Sequence, residues 1–239
     1  MVASAERLEL IIDGGAPGQE NMRRDLSLLD ACAHGEISGA VRLYWFEPAC
    51  LSLGRMQPLD DVDLEACARD GVDIVRRPSG GRAVLHDQEV TYSVVCRSDD
   101  PIFGGRVLES CSRIHQAVAR GLEMLGVHAV PRAMPANLRR DARDGAAVAD
   151  CFARPAAHEL LDDTGRKMVG SAQARRAGAL LQHGSVLLEA PRAAAYLRSD
   201  TGPSFGGIGV RELLGREVGR AELVDALAEG FSNALERSS

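Results

Sequence analysis

The chain has 239 residues, a formal net charge of −6, 45% hydrophobic and only 4% aromatic side chains. A core of aliphatics and alanine is affordable at this size, and the acidic balance argues against a nucleic-acid partner because no basic excess is available to neutralise phosphates. No stretch approaches the ~20 apolar residues of a membrane helix, and the run Leu8 to Ile12 is too short for a secretory leader, so a cytoplasmic protein without a membrane partner is expected.

Leu8 to Asp13 reads as a first strand. A helix follows from about Glu20 to His34, with Leu26, Leu29 and Ala33 on one face. Val41 to Phe46 and Cys50 to Gly54 are short strands around Pro48, and Asp60 to Arg69 reads as a helix closed by Gly71. Val72 to Val75 and Val90 to Val95 are strands flanking a glycine turn, and an amphipathic helix runs from about Gly105 to Leu125. From Pro131 to Ala149 periodicity is lost, which fits a mobile loop or lid, or simply a solvated charged strip. Glu159 to Leu161, Lys167 to Ala172 and Leu180 to Leu188 read as strands, and Val210 to Leu214 and Arg220 to Leu235 as helices. With no repeat and no linker, one catalytic domain over 1–239 is expected, ending in a small helical tail over 205–239.

Six cysteines are scattered without a CxxC pair, and the histidines show no ligand spacing with them, so no metal site is expected. Cys32, Cys50, Cys67, Cys96 and Cys111 read as packing thiols. Cys151 stands apart, at the point where the irregular segment rejoins the core. A thiolate is the best side-chain nucleophile for taking an acyl group from a thioester, although a buried inert thiol is the plainer reading.

The densest chemical signal is Arg76-Arg77-Pro78-Ser79-Gly80-Gly81-Arg82-Ala83-Val84-Leu85-His86-Asp87. Glycines let a ligand lie against backbone N–H groups, and the arginines offer charge to a carboxylate or phosphate. A plain hairpin explains Gly80-Gly81 alone, but does not call for three arginines. A second cluster is Gly165 to Gln173 followed by Leu181-Gln182-His183-Gly184-Ser185. Lys167 there sits in a small, apolar stretch where a buried ammonium would seek an anionic or carbonyl partner; an exposed lysine after a turn is the alternative. His183 fits either a general base or a hydrogen-bonded structural residue.

Taken together, RRPSGGRAVLHDQEVTYSVV and CFARPAAHELLDDTGRKMVGSAQARRAGALLQHGSVLLE resemble, in order, the lipoate and octanoate protein-acylating branch of the biotin/lipoate ligase superfamily. Weaker echoes at WFEPACLSLGRMQ and VRELLGREVGRAELVDALAEGF extend the resemblance over nearly the whole chain. It implies a mixed α/β fold with a central mixed sheet flanked by helices. Arg82 in place of a third glycine, Gln88-Glu89 where ligases often carry Gly-Asn, and the Cys151-Phe152 pair are similar to the cysteine-dependent octanoyltransferases. His158 departs from the family pattern.

On that resemblance Cys151 and Lys167 are catalytic, and Arg76, Arg77, Ser79, Gly80, Gly81, Arg82, His86, Gly170, Ser171, Ala172, His183 and Gly184 bind substrate. Cys151 would take octanoyl from acyl carrier protein or another octanoylated donor and pass it to a lysine of a lipoyl-domain acceptor such as the glycine-cleavage H protein. Thioester-to-amide conversion is downhill and needs no cofactor. Lys167 on the oxyanion would contribute on the order of 3 kcal/mol, and each buried methylene of the chain ~0.8 kcal/mol. Two alternatives stand beside this reading. One is a lipoate-protein ligase using ATP and Mg through an acyl-adenylate; the other is a catalytically silent relative that only binds acylated domains.

Overall fold

A computed structural model describes residues 8–131, 160–198 and 207–237. Its central sheet has five strands: β1 (Glu9–Ala16), β2 (Gly39–Phe46), β6 (Glu89–Arg97), β9 (Val169–Arg176) and β10 (Ala179–Leu187). They lie in the order β1-β2-β6-β10-β9, with β1 parallel to β2 and every other pair antiparallel. The sheet is mixed and has helices on both faces, as the family resemblance implies.

Alternation along the strands gives the sheet two unlike faces. Leu43, Val90, Tyr92, Val94 and Val186 point to the back. There α3 (Val107–Met124) and α5 (Arg220–Glu236) cover them with Ile114, Leu122, Leu227 and Phe231. The two helices meet at glycines: a Cβ on Gly230 would lie 2.5 Å from the Ala117 carbonyl oxygen. Far from being an appendage, the C-terminal helix completes the main core, while the short α4 (Val210–Leu214) precedes it.

The front face carries Arg42, Glu89, Thr91, Ser93, His183 and Ser185, all buried. α1 (Gly18–His34) lies over part of it, bringing Leu29 and Cys32 against Val95 and Leu181. A small three-stranded sheet, β4 (Asp73–Arg76), β3 (Cys50–Leu53) and β5 (Val84–His86), stands beside it in the order β4-β3-β5. α2 (Leu64–Asp70) packs behind that sheet through Cys67.

Two elements differ from the pattern read in the sequence. The helix expected from Asp60 to Arg69 breaks into a 3₁₀ turn at Leu59–Asp61 and α2, because Val62 and Asp63 turn extended and the Asp63 carboxylate caps the new helix at the Ala66 N–H. β9 begins at Val169, and Lys167 forms an isolated bridge to Leu161, the last residue of β8 (Leu160–Leu161), which itself pairs with β7 (Val130–Pro131). Cys32, Cys50, Cys67 and Cys96 are buried, and burial pushes each thiol pKa up, as expected of packing thiols; Cys111 is half-buried. Cys151, His158 and the segment 132–149 lie outside the described residues. Among the described helices, none is long and apolar enough to cross a membrane.

Candidate active site

The glycine turn between β4 and β5 is held from within. The buried Arg77 guanidinium donates to the Ser52 carbonyl at 2.8 Å, the Gly80 carbonyl at 2.9 Å and the Arg82 carbonyl at 2.6 Å. Arg76 donates to the carbonyls of Gly54 and Gln57. Both arginines, read from the sequence as charge for an anion, therefore bind main-chain oxygen, Arg77 in the turn and Arg76 in the segment Gly54 to Gln57 beside it. Arg82 is half-buried and contributes its carbonyl to the same clamp.

Gly81 has φ +93°, a conformation that favours glycine, and its carbonyl approaches Gly54 so closely that a Cβ there would sit 1.8 Å from the oxygen. Gly54→Ala must displace backbone. A loss of roughly 1–3 kcal/mol, a drop in Tm of several degrees, is expected in thermal unfolding, and an unchanged Tm would contradict the packing described.

A buried carboxylate on α1 organises the centre of the front face. Asp25 accepts from Arg42 Nη1 at 2.8 Å, Tyr44 Oη at 2.9 Å and Ser93 Oγ at 2.8 Å. His183 Nδ1 lies 3.4 Å from the same carboxylate, and its Nε2 lies 2.6 Å from Ser79 Oγ. Burial alone would raise the Asp25 pKa, but the His183 hydrogen bond, the charges of His183 and Arg42 and the Ser93 hydroxyl outweigh it and hold it low. The order Ser79–His183–Asp25 matches a nucleophile, a base and an orienting acid. Ser79 does not line the cleft, however; its hydroxyl ties the glycine turn to the sheet.

A second chain of hydrogen bonds crosses from the turn to Glu89. Arg77 Nη1 donates to Ser52 Oγ at 3.3 Å, and Ser52 Oγ is 2.8 Å from His86 Nε2. His86 Nδ1 is 3.4 Å from Thr91 Oγ1, which donates to Glu89 Oε2 at 2.6 Å. Arginine can only donate, so the consistent proton order runs Arg77, Ser52, His86, Thr91, Glu89, with His86 neutral and protonated on Nδ1. Burial pushes the His86 pKa down in keeping with this, against a weaker upward pull from Glu89. The ring also stacks on Phe46 with centroids 4.1 Å apart.

Between these two chains lies a cleft with about 380 Å³ of empty space, part of it open to solvent. Met22, Tyr44, Phe46 and Val84 supply apolar wall; Ser52, Arg77, His86, Thr91, His183 and Ser185 supply polar atoms. Gly170, Ser171, Ala172 and Gly184 close one side. Gly184 has no side chain because the Tyr92 ring lies under it: a Cβ would be 2.6 Å from the Tyr92 hydroxyl. The Ser171 hydroxyl points away to the buried His115 on α3, at 2.9 Å.

The cleft thus gathers Arg77, His86, Gly170, Ser171, Ala172, His183 and Gly184 of the residues singled out in the sequence. Arg76, Ser79, Gly80, Gly81 and Arg82 shape the turn beside it and do not line it. Lys167 is buried, at 2% exposure, so it is not a solvent-facing strand lysine; it lies two residues before β9, whose Gly170, Ser171 and Ala172 form cleft wall. Among the described residues no group of three His, Cys, Asp or Glu side chains is placed to hold a metal.

Sequence reading passed over Asp25, Arg42, Ser52, Thr91 and Ser93. Their signal was the polar alternation Glu89, Thr91, Ser93 inside an apolar strand, and the pair Asn21 and Asp25 four apart on the buried side of α1.

A mixed sheet with this cleft on its polar face defines a lipoyl protein ligase A/B catalytic domain. The model of that family matches residues 17–232, and the chain belongs to it. Within it the chain is similar to octanoyltransferases LipM: that of Kyrpidia tusciae is 38% identical, over 95% of this chain and 86% of its own length. The enzyme of Symbiobacterium thermophilum is 39% identical, over 95% and 85%. Among solved structures, a T. acidophilum protein described as a lipoate protein ligase with bound lipoic acid superposes with a TM-score of 0.71 at 25% identity, covering 96% of this chain and 86% of its own. A lipoate-protein ligase A bound with ATP gives a TM-score of 0.75 at 24% identity over 96% and 86%, a likeness of fold.

Proposed function

We propose that the protein is an octanoyltransferase of protein lipoylation. It takes an octanoyl group from acylated acyl carrier protein, or another octanoylated protein, onto Cys151 and passes it to a lysine of a lipoyl-domain acceptor such as the glycine-cleavage H protein. The observation that carries this reading is the near-full-length similarity to octanoyltransferases, at 38% and 39% identity. The cleft supports it, with apolar wall for an acyl chain and donors for its carbonyl.

In this reading Cys151 sulfur attacks the thioester carbonyl, the carrier thiol leaves, and the acceptor amine then displaces Cys151. Lys167, buried two residues before the strand that forms cleft wall, stabilises the oxyanion at each step. The ligase alternative, with ATP and Mg, would need cations for the phosphates. The engagement of Arg76 and Arg77 with main-chain carbonyls gives that alternative less support.

Incubation with octanoyl-acyl carrier protein is expected to add one octanoyl mass to the peptide containing Cys151. Cys151→Ala should abolish both this adduct and transfer to a lipoyl domain. Full activity in Cys151→Ala would sink the acyl-cysteine route, and lipoate-dependent exchange of pyrophosphate into ATP would restore the ligase.

A further inference from the structure

We propose that Glu89 receives the ε-ammonium of the acceptor lysine and takes its first proton, a role that rests on the acyl-transfer reading above. Glu89 is 1% exposed, on the front face of β6. Its Oε2 accepts from Thr91 at 2.6 Å and from Ser185 at 2.9 Å, and both of those residues line the cleft. Its Oε1 is buried with no hydrogen-bond partner among the described residues.

Asp25 on the same face makes the contrast. It has four donors, one of them a guanidinium, whereas among the described residues the Glu89 carboxylate has two hydroxyls on one oxygen and no donor on the other. Among the described residues no lysine or arginine pairs with the Glu89 carboxylate; the nearest titratable nitrogen is His86 Nδ1 at 3.8 Å. Burial lowers the pKa of that imidazole, and its Nδ1 is already engaged with Thr91 Oγ1 at 3.4 Å. The hydrogen-bond chain from Arg77 therefore runs into the carboxylate and stops one donor and one positive charge short.

A buried carboxylate with an open acceptor is costly unless something fills it. Of the substrates in the proposed reaction, the acyl chain brings no donor and the carrier thioester brings no cation. The acceptor lysine brings three N–H donors and a positive charge. The ammonium gives one proton to Glu89, and the free amine attacks the acyl carbonyl. The C–N bond forms, the C–S bond breaks, and the nitrogen's second proton goes to the departing thiolate. The products are an amide, a thiol and a neutral Glu89 carboxyl, which then returns its proton to solvent.

The test is discharge of the octanoylated full-length protein, followed by mass spectrometry, with either a lipoyl-domain protein or hydroxylamine as acceptor. Glu89→Gln is expected to load octanoyl as the wild type does. Its transfer to the lipoyl-domain lysine should fall on the order of 10²-fold at neutral pH, then recover about tenfold per pH unit toward the lysine pKa of about 10.4. Hydroxylamine, already neutral, should discharge both proteins at the same rate.

A variant that loads and transfers to the lysine like the wild type overturns the Glu89 assignment alone. Equal slowing with hydroxylamine also overturns it, since that marks a structural role. A wild-type protein that never loads overturns the acyl-enzyme reading and this one with it. The wild type supplies a check that needs no variant: its lysine transfer should stay nearly flat over neutral to mildly alkaline pH, and a tenfold climb per unit would refute the proposal.

Discussion

Replacing Asp25 with alanine is expected to lower the unfolding free energy by about 3–5 kcal/mol, the scale for breaking a buried, hydrogen-bonded ion pair from one side. The reason is the number of donors stranded at once. Arg42, Tyr44, Ser93 and His183 all turn toward this carboxylate, and all four are buried. Arg42 keeps the Asp13 carboxylate and the Asn21 side-chain oxygen, so its charge is not wholly orphaned. That keeps the effect within the stated range. Asp25→Asn should cost less, about 1–3 kcal/mol, because its amide oxygen still accepts while its NH₂ group meets donors. Urea denaturation of the two variants measures both values. A loss under 1 kcal/mol for Asp25→Ala would mean that the α1–sheet contact is not what holds this face together.

Lys167→Met is expected to separate activity from stability. If the ammonium stabilises the oxyanion, its removal should lower kcat for octanoyl transfer on the order of 10²–10³-fold. Methionine has nearly the same length and flexibility, and a buried ammonium is expensive to desolvate. A thioether of this length fills the same space in a site this enclosed, so the rate should fall far more than the Tm. Steady-state rates and thermal unfolding on the same preparation decide the matter. A variant within tenfold of wild-type kcat would remove Lys167 from the chemistry; a large fall in Tm would make it a structural cation instead.

Much of this arrangement was legible in the sequence, for identifiable reasons. The helices at the C-terminal end were placed almost to the residue because glycines stand before each of them and apolar residues repeat with helical spacing. The glycine turn was found because Gly80-Gly81 between two β-rich runs is a local signal. What the arginines do there was not, since a guanidinium beside a turn looks the same whether it waits for an anion or grips Ser52, Gly80 and Arg82 carbonyls. The Asp25 network stayed hidden for a different reason. Its members come from α1, β2, β6 and β10, and only the sheet register brings Arg42, Ser93 and His183 into one row. The break between Leu59–Asp61 and α2 turned on a cap at Asp63 that helical periodicity alone does not reveal.

β6 holds two programmes interleaved at single-residue spacing: Glu89, Thr91 and Ser93 lie on the polar front face, while Val90, Tyr92 and Val94 belong to the greasy interior. Deleting any one residue near the start of this strand would swap the two sets, sending valines into the wet side and a carboxylate into hydrocarbon. Length at this place is thus as constrained as identity. Evolution can trade side chains here one at a time, but it has no small step by which to insert or remove a residue.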